Sequence, residues 1–188
     1  LGGVVDIPQG RRGADEPGVV ELRDGRIMML IRSDLGHIFR SYSTDAGRHW
    51  SPAVPTALDS PTAPSTIARL PNRRDLLLIW NNRKPGVNHM QDRFPLSSAI
   101  STDEGLTWTH IQNLDATPGF TYSYSSVTFP NPDTAVLTYY ARAESPLPAA
   151  SAGAPLPGET PGQPLLSLKE KIVPVSWFYQ RSFPAIRH

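Results

Sequence analysis

Two aspartates stand in matching surroundings. Ser43-Thr44-Asp45-Ala46-Gly47-Arg48-His49-Trp50 recurs as Ser101-Thr102-Asp103-Glu104-Gly105-Leu106-Thr107-Trp108, with five identical positions in eight at an offset of 58 residues. A carboxylate held in a fixed setting invites a reading as general acid or base. A short carboxylate before a glycine also accepts backbone N–H groups across a tight turn, which is a structural duty. Other residues able to act on a ligand are the adjacent carboxylates Asp15-Glu16, the guanidinium groups of Arg32, Arg83, Arg93 and Arg142, the amides Asn81-Asn82, the tyrosines from Tyr122 to Tyr124 and at Tyr140, and His89 and Asp92. The five histidines (His37, His49, His89, His110, His188) have no metal-ligand spacing, and there is no cysteine, so no metal site is expected. No glycine-rich phosphate cradle occurs, and no cofactor is expected.

The elements that must position these residues repeat as well. Val19 to Leu22, a turn at Asp24-Gly25, and Ile27 to Ile31 precede the first box. Asp-Gly between apolar runs marks a hairpin. Ile67 to Leu70, Pro71-Asn72 and Leu76 to Trp80 precede the second. A third unit runs from Ser126 to Phe129 through Pro130-Asn131-Pro132-Asp133 into Ala135 to Tyr140 and closes with Leu166 to Trp177, without a box. Units of about 50–60 residues with four short strands each read as β-propeller blades, here residues 15–60, 61–118 and 119–179. Residues 1–14 read as a tail or the remnant of a preceding blade. The Pro/Ala/Gly-rich stretch 145–164 reads as an insertion loop.

Composition agrees with an all-β reading. Proline, 20 of 188 residues, is about twice the usual ~5% and argues against a helical bundle. Hydrophobic residues are 39% and charged residues 19%, with a net charge of +1. That balance offers nothing to nucleic acid or a membrane surface. No apolar run approaches the ~18 residues of a spanning helix. Residues 1–10 show neither a basic n-region nor an initiator Met, so no signal peptide is read there and the compartment stays open.

In a propeller, ligands meet the face where inner strands begin and second strands end. Asp15-Glu16, Pro64-Ser65 and Tyr122 to Ser125 precede the inner strands, while Arg32, Asn81 to Arg83 and Tyr140 to Arg142 end the second strands. One carboxylate pair, several arginines and a tyrosine cluster would thus converge.

The Ser-x-Asp-x-Gly-x-x-Trp frame resembles the Asp-box, or BNR repeat, of the sialidase superfamily, whose complete propeller has six blades. The resemblance implies that Ser43, Asp45, Gly47 and Trp50, with Ser101, Asp103, Gly105 and Trp108, are structural residues of outer hairpins. Further segments resemble the family across about 160 residues. Glu16-Pro17-Gly18-Val19-Val20-Glu21-Leu22 with Arg32 is similar to the segment holding the catalytic glutamate and a substrate-binding arginine. Arg93 to Ser101 is similar to the run holding a further arginine, and Tyr124-Ser125-Ser126-Val127 to the segment with the nucleophilic tyrosine.

The resemblance therefore implies Tyr124 as nucleophile, Glu16 as its base, and Arg32 and Arg93 as a clamp on a substrate carboxylate, with Asn82 and Arg142 as further binding positions. A sialic acid carries a carboxylate on its anomeric carbon, so a neutral tyrosine avoids the repulsion a carboxylate nucleophile would meet there. A planar guanidinium grips both oxygens of such a carboxylate. The implied function is a sialidase-like glycoside hydrolase of sialoglycoconjugates. The alternatives are a non-catalytic glycan-binding propeller and a related enzyme for another acidic sugar. The family's first arginine and its aspartate acid/base have no counterpart, and Asp15 is poorly placed to replace the latter. Three blades of six would also leave two sheet faces uncovered, which predicts self-association.

Overall fold

The computed structural model describes residues 3–71, 74–84, 93–144 and 166–180; the expected insertion loop 145–164, and His89 and Asp92, lie outside them. Three antiparallel sheets follow one another along the chain. The first has the order β1 (Asp15–Glu21), β2 (Ile27–Arg32), β3 (His37–Ser43), β4 (Val54–Asp59). The second has the order β5 (Thr66–Arg69), β6 (Leu76–Asn81), β7 (Leu96–Ser101), β8 (Thr109–Asp115). In the third, β10 (Thr134–Ala143) lies between β9 (Phe120–Asn131) and β11 (Leu166–Pro174). The first strands β1, β5 and β9 are neighbours across the three sheets, as in a propeller of which these are three blades.

Side-chain patterning explains the stacking. β2 alternates: Met28 and Leu30 pack with Leu76, Leu78 and Trp80 of the second sheet, while Met29 and Ile31 face away. β6 lies between two other sheets, so all six of its residues are buried, and up to the terminal Asn81 it reads as an unbroken apolar run. Leu77 and Ile79 meet Leu137, Tyr139 and Ala141 of the third sheet. Along β10 these alternate with Val136, Thr138, Tyr140 and Arg142 on the outer face. That face also carries exposed Leu166, Leu168 and Ile172 of β11.

Two features differ from the sequence expectation. Among the described residues the third sheet has three strands, and β11 runs into a short 3-10 helix, Val175–Tyr179, where a fourth strand was expected. The helix is drawn under the second sheet by burial of Val175 and Phe178 and by Gln112 Nε2, which donates to the Trp177 carbonyl at 2.7 Å. At the other end, Ile7 is 1% exposed and packs with Val5 against Ile31 and Phe39. Residues 3–13 thus cover part of the first sheet's outer face.

Candidate functional site

The site is built on two β-bulges. In β1 the ladder to β2 slips between Asp15↔Arg32 and Gly18↔Leu30. The cause is legible: Pro17 has no N–H to give a ladder, so a bulge is where it can sit in a strand. Glu16 there takes φ +40°. In β9 the ladder to β10 slips between Ser126↔Thr138 and Ser123↔Tyr140, and Tyr124 takes φ +52°. Positive φ costs a non-glycine residue roughly 1–3 kcal/mol and persists only where the surroundings enforce it. Here Thr66 Oγ1 donates to the Ser125 carbonyl at 2.5 Å and pins the β9 bulge to β5. A bulge re-aims one side chain out of the pleat, and these two aim at each other.

The Tyr124 hydroxyl donates to Glu16 Oε1 at 3.0 Å across 108 sequence positions. Arg32, at the end of β2, binds the other oxygen, Oε2, through Nη1. Its side chain is 4% exposed, whereas that of Glu16 is 32% exposed. Arg32 Nη1 also lies 3.9 Å from Asp15 Oδ2, which accepts from Arg12 Nη2 at 2.8 Å. The Arg12 hydrogen bond holds the Asp15 carboxyl below the usual range, against a smaller opposing effect of burial. Tyr124 is half exposed, and Tyr140 meets it edge-on at 6.1 Å. The phenol therefore faces solvent with an acceptor already in place.

Arg93 approaches from the arm before β7. It is 8% exposed, and Nη2 donates to the Thr62 carbonyl at 3.0 Å. Burial, then the charge of Arg32, lowers its pKa, while Tyr124 and Glu16 act the other way. The arm is held from two sides. Asn81 Nδ2 donates to the Pro95 carbonyl at 3.2 Å, and Tyr122 N donates to the Arg93 carbonyl at 2.8 Å. Tyr122 itself is fully buried, and burial followed by its bond to Asp115 pushes its hydroxyl up to about 12.

The structure thus brings Glu16, Arg32 and Tyr124 into one bonded chain with Arg93 beside it. Asn82 is half-buried just after β6 and makes no side-chain hydrogen bond among the described residues; its neighbour Asn81 supports the arm instead. Arg142 is exposed on β10, in register with Thr121 and Leu166, and its side chain makes no ion pair among the described residues. Both box aspartates are engaged within their own turns, Asp45 by Ser43 and His49, Asp103 by Ser101 and Thr107. Sequence reasoning missed Arg12, Thr62 and Asp115, and it named Asn81 as facing a ligand rather than as a support of the Arg93 arm. The signal for Asn81 was its place as the last residue of an otherwise apolar strand, while Thr62 acts through a carbonyl any residue would supply. Among the described residues no three potential metal ligands cluster, and no helix is long and apolar enough to cross a membrane.

Comparison with known proteins follows the same lines. The NanB sialidase of Streptococcus pneumoniae superposes with a TM-score of 0.55 at 22% identity, over 67% of this chain and 20% of that one. The intramolecular trans-sialidase of Ruminococcus gnavus, solved with oseltamivir carboxylate, gives 0.52 at 26% identity, over 67% of this chain and 28% of that one. A protein of unknown function from Dyadobacter fermentans gives 0.56 at 15% identity, over 85% of this chain and 38% of that one. This chain therefore spans only a fifth to two fifths of these proteins. No curated protein sequence matches it significantly. The family model described as a BNR repeat-like domain matches residues 4–135, well over half of the 188. With its partial propeller of sialidase type, the chain belongs to the BNR repeat-like family of the sialidase superfamily.

Proposed function

We propose that this chain carries the nucleophile half of a sialidase-like glycoside hydrolase site for terminal acidic sugars of glycoconjugates. The observation that carries this reading is the Tyr124 hydroxyl on Glu16 Oε1 at 3.0 Å, with Arg32 on the opposite oxygen. Glu16 Oε1 takes the phenolic proton as the Tyr124 oxygen forms a bond to the anomeric carbon, and the glycosidic oxygen leaves with the bonding pair and takes a proton from solvent water. Water then bonds to the anomeric carbon and yields a proton to solvent as the bond to the Tyr124 oxygen breaks, and Glu16 returns the phenolic proton to Tyr124. Arg32 and Arg93 grip the sugar carboxylate. Two of the similar proteins agree with this chemistry, one a sialidase and the other an intramolecular trans-sialidase.

A second reading is recognition of an acidic glycan without turnover. It is favoured by Asp15, the carboxylate beside Glu16. Paired with Arg12 and near Arg32, it is held in the ionised form and is ill suited to protonate a leaving group. The test pairs hydrolysis of a fluorogenic sialoside with binding of 2-deoxy-2,3-didehydro-N-acetylneuraminic acid. The hydrolytic reading expects Tyr124→Phe to lower turnover by roughly 10²–10⁴-fold while binding persists. Binding without turnover in the unaltered chain selects the second reading. Turnover unchanged in Tyr124→Phe overturns the first.

A further inference from the structure

A polar cluster behind the site is centred on Asp115, at the end of β8. Its Oδ1 accepts from Tyr122 OH at 2.8 Å and Thr117 Oγ1 at 2.9 Å. Its Oδ2 accepts from Tyr139 OH at 3.0 Å and Lys169 Nζ at 2.8 Å. One carboxylate thus ties together β8, β9, β10 and β11. Its side chain is 11% exposed. Burial opposes its ionisation, but the bonds from Lys169, Tyr122 and Thr117 outweigh burial and hold it far below the usual carboxylate range.

The cluster reaches the site through Tyr122. That ring is 0% exposed, so it transmits displacement rather than absorbing it. On one side its hydroxyl is held by Asp115. On the other its N–H donates to the Arg93 carbonyl at 2.8 Å, and its ring stacks on Phe94, the next residue of the Arg93 arm, at 6.4 Å and 27°. Two residues later the same strand bulges to aim Tyr124 at Glu16. Tyr122 therefore sits between the two groups whose relative placement the site requires. The carboxylate that holds it accepts from two phenols, a hydroxyl and an ammonium, a pattern an amide cannot reproduce because one of its ends donates.

We propose that Asp115 is a positioning residue: by fixing Tyr122 it sets where Arg93 and Tyr124 stand relative to one another. The functional consequence rests on the reading above, that Arg93 and Tyr124 face an acidic sugar. The mechanical consequence does not.

The experiment has two arms on the full chain. In the first, binding of 2-deoxy-2,3-didehydro-N-acetylneuraminic acid is titrated well below the unfolding transition. Asp115→Asn and Tyr122→Phe should each weaken it roughly tenfold or more, as expected of small misplacements around a site. Tyr179→Phe is the matched control. It removes another phenol–carboxylate bond, Tyr179 OH to Asp75 Oδ2 at 2.6 Å, at the end of β6 away from the site, and should leave affinity unchanged. In the second arm the six tyrosines carry 3-fluorotyrosine, and the Tyr124 signal is identified by its loss in Tyr124→Phe. Asp115→Asn and Tyr122→Phe should displace that signal without any ligand, and Tyr179→Phe should not. A Tyr124 signal unmoved by Asp115→Asn overturns the proposal. So does affinity that falls equally in all three variants, the mark of a general loss of stability. If the unaltered chain binds no sialic acid analogue but the Tyr124 signal moves as expected, the positioning stands and the sugar assignment falls.

Discussion

In the turn between β3 and β4, Asp45 Oδ1 accepts from Ser43 Oγ at 2.9 Å and His49 N at 2.8 Å, and Ser43 Oγ accepts from Gly47 N at 2.9 Å. In the turn between β7 and β8, Asp103 Oδ1 accepts from Ser101 Oγ at 2.8 Å and Thr107 N at 2.9 Å, and Ser101 Oγ accepts from Gly105 N at 2.8 Å. Backbone angles agree too: φ is +59° and +84° at Ala46-Gly47, and +61° and +82° at Glu104-Gly105. Inside the turns one group separates them: the His49 ring meets Asp45 Oδ2 at 2.6 Å where the Thr107 hydroxyl donates to Asp103 Oδ2 at 2.5 Å. Outside, Ala46 is exposed and has no polar side chain to offer, whereas Glu104 binds Arg23 of the first sheet at 2.8 Å and Arg69 of the second at 3.0 Å. Gly105 is buried against Met28 of β2, while Gly47 meets only its own Trp50. One local design thus closes a hairpin at the first copy and, at the second, also locks two sheets together. The eight-residue frame supplies the closure; the residue between Asp and Gly decides whether the turn is also a clamp.

The largest effect that would sharpen this contrast comes from that residue. Glu104→Ala removes an acceptor shared by two arginines in a setting where the carboxylate side chain is 16% exposed. We expect a loss of about 2 kcal/mol, which lowers Tm by roughly 4–8 °C in a chain of this size. The reciprocal Ala46→Glu, placed where no arginine waits, should stay within about 0.5 kcal/mol. Thermal unfolding of both decides it. Equal losses would mean that the two turns carry the same load.

A smaller difference should separate the glycines. Either glycine replaced by alanine meets a positive φ, worth about 1 kcal/mol. At Gly105 a new Cβ would also stand 2.7 Å from Met28 Cε, and Met28 is 0% exposed with nowhere simple to go. Gly105→Ala should therefore cost about 1 kcal/mol more than Gly47→Ala. A denaturation midpoint lower for Gly47→Ala than for Gly105→Ala would break the comparison.

The contrast also shows what a sequence can carry. The frame of each turn is legible because its donors and acceptors lie within eight consecutive residues. Whether the turn is a clamp is not, since Arg23, Arg69 and Glu104 meet only after two sheets stack. The same division runs through the candidate site. Pro17 in a strand announces the β1 bulge, but nothing in Tyr122 to Ser126 announces the β9 bulge. From the sequence the polar run precedes its strand, whereas β9 begins at Phe120 and passes through it. The Asp115 cluster joins residues 115, 117, 122, 139 and 169 from four strands and has no local trace. Ile7 has no local trace for the same reason, because Val4-Val5-Asp6-Ile7-Pro8 says nothing of burial until Phe39 and Ile31 stand opposite it.

The smallest expected effect concerns acid. Asp45 lies below the usual carboxylate range chiefly because it accepts the His49 N–H, then because of the His49 ring and Ser43. Asp103 lies below it because the Thr107 hydroxyl and N–H, with Ser101, outweigh an opposing effect of burial. A depressed carboxyl is protonated first in the unfolded chain. Each group therefore contributes stability that is full above the ordinary value near ~3.9 and is lost as pH falls below it toward the folded value. Tm measured from pH 5 downward should fall, and Asp45→Asn and Asp103→Asn should each flatten that fall, since neither side chain then takes up a proton. His49→Thr gives the first turn the donors of the second. It keeps the backbone N–H that acts most strongly on Asp45 and should leave the acid limb almost as steep as in the unaltered chain. A limb flattened by His49→Thr as much as by Asp45→Asn would place the effect in the imidazole, and the one group that separates the turns inside would then matter as much as those outside.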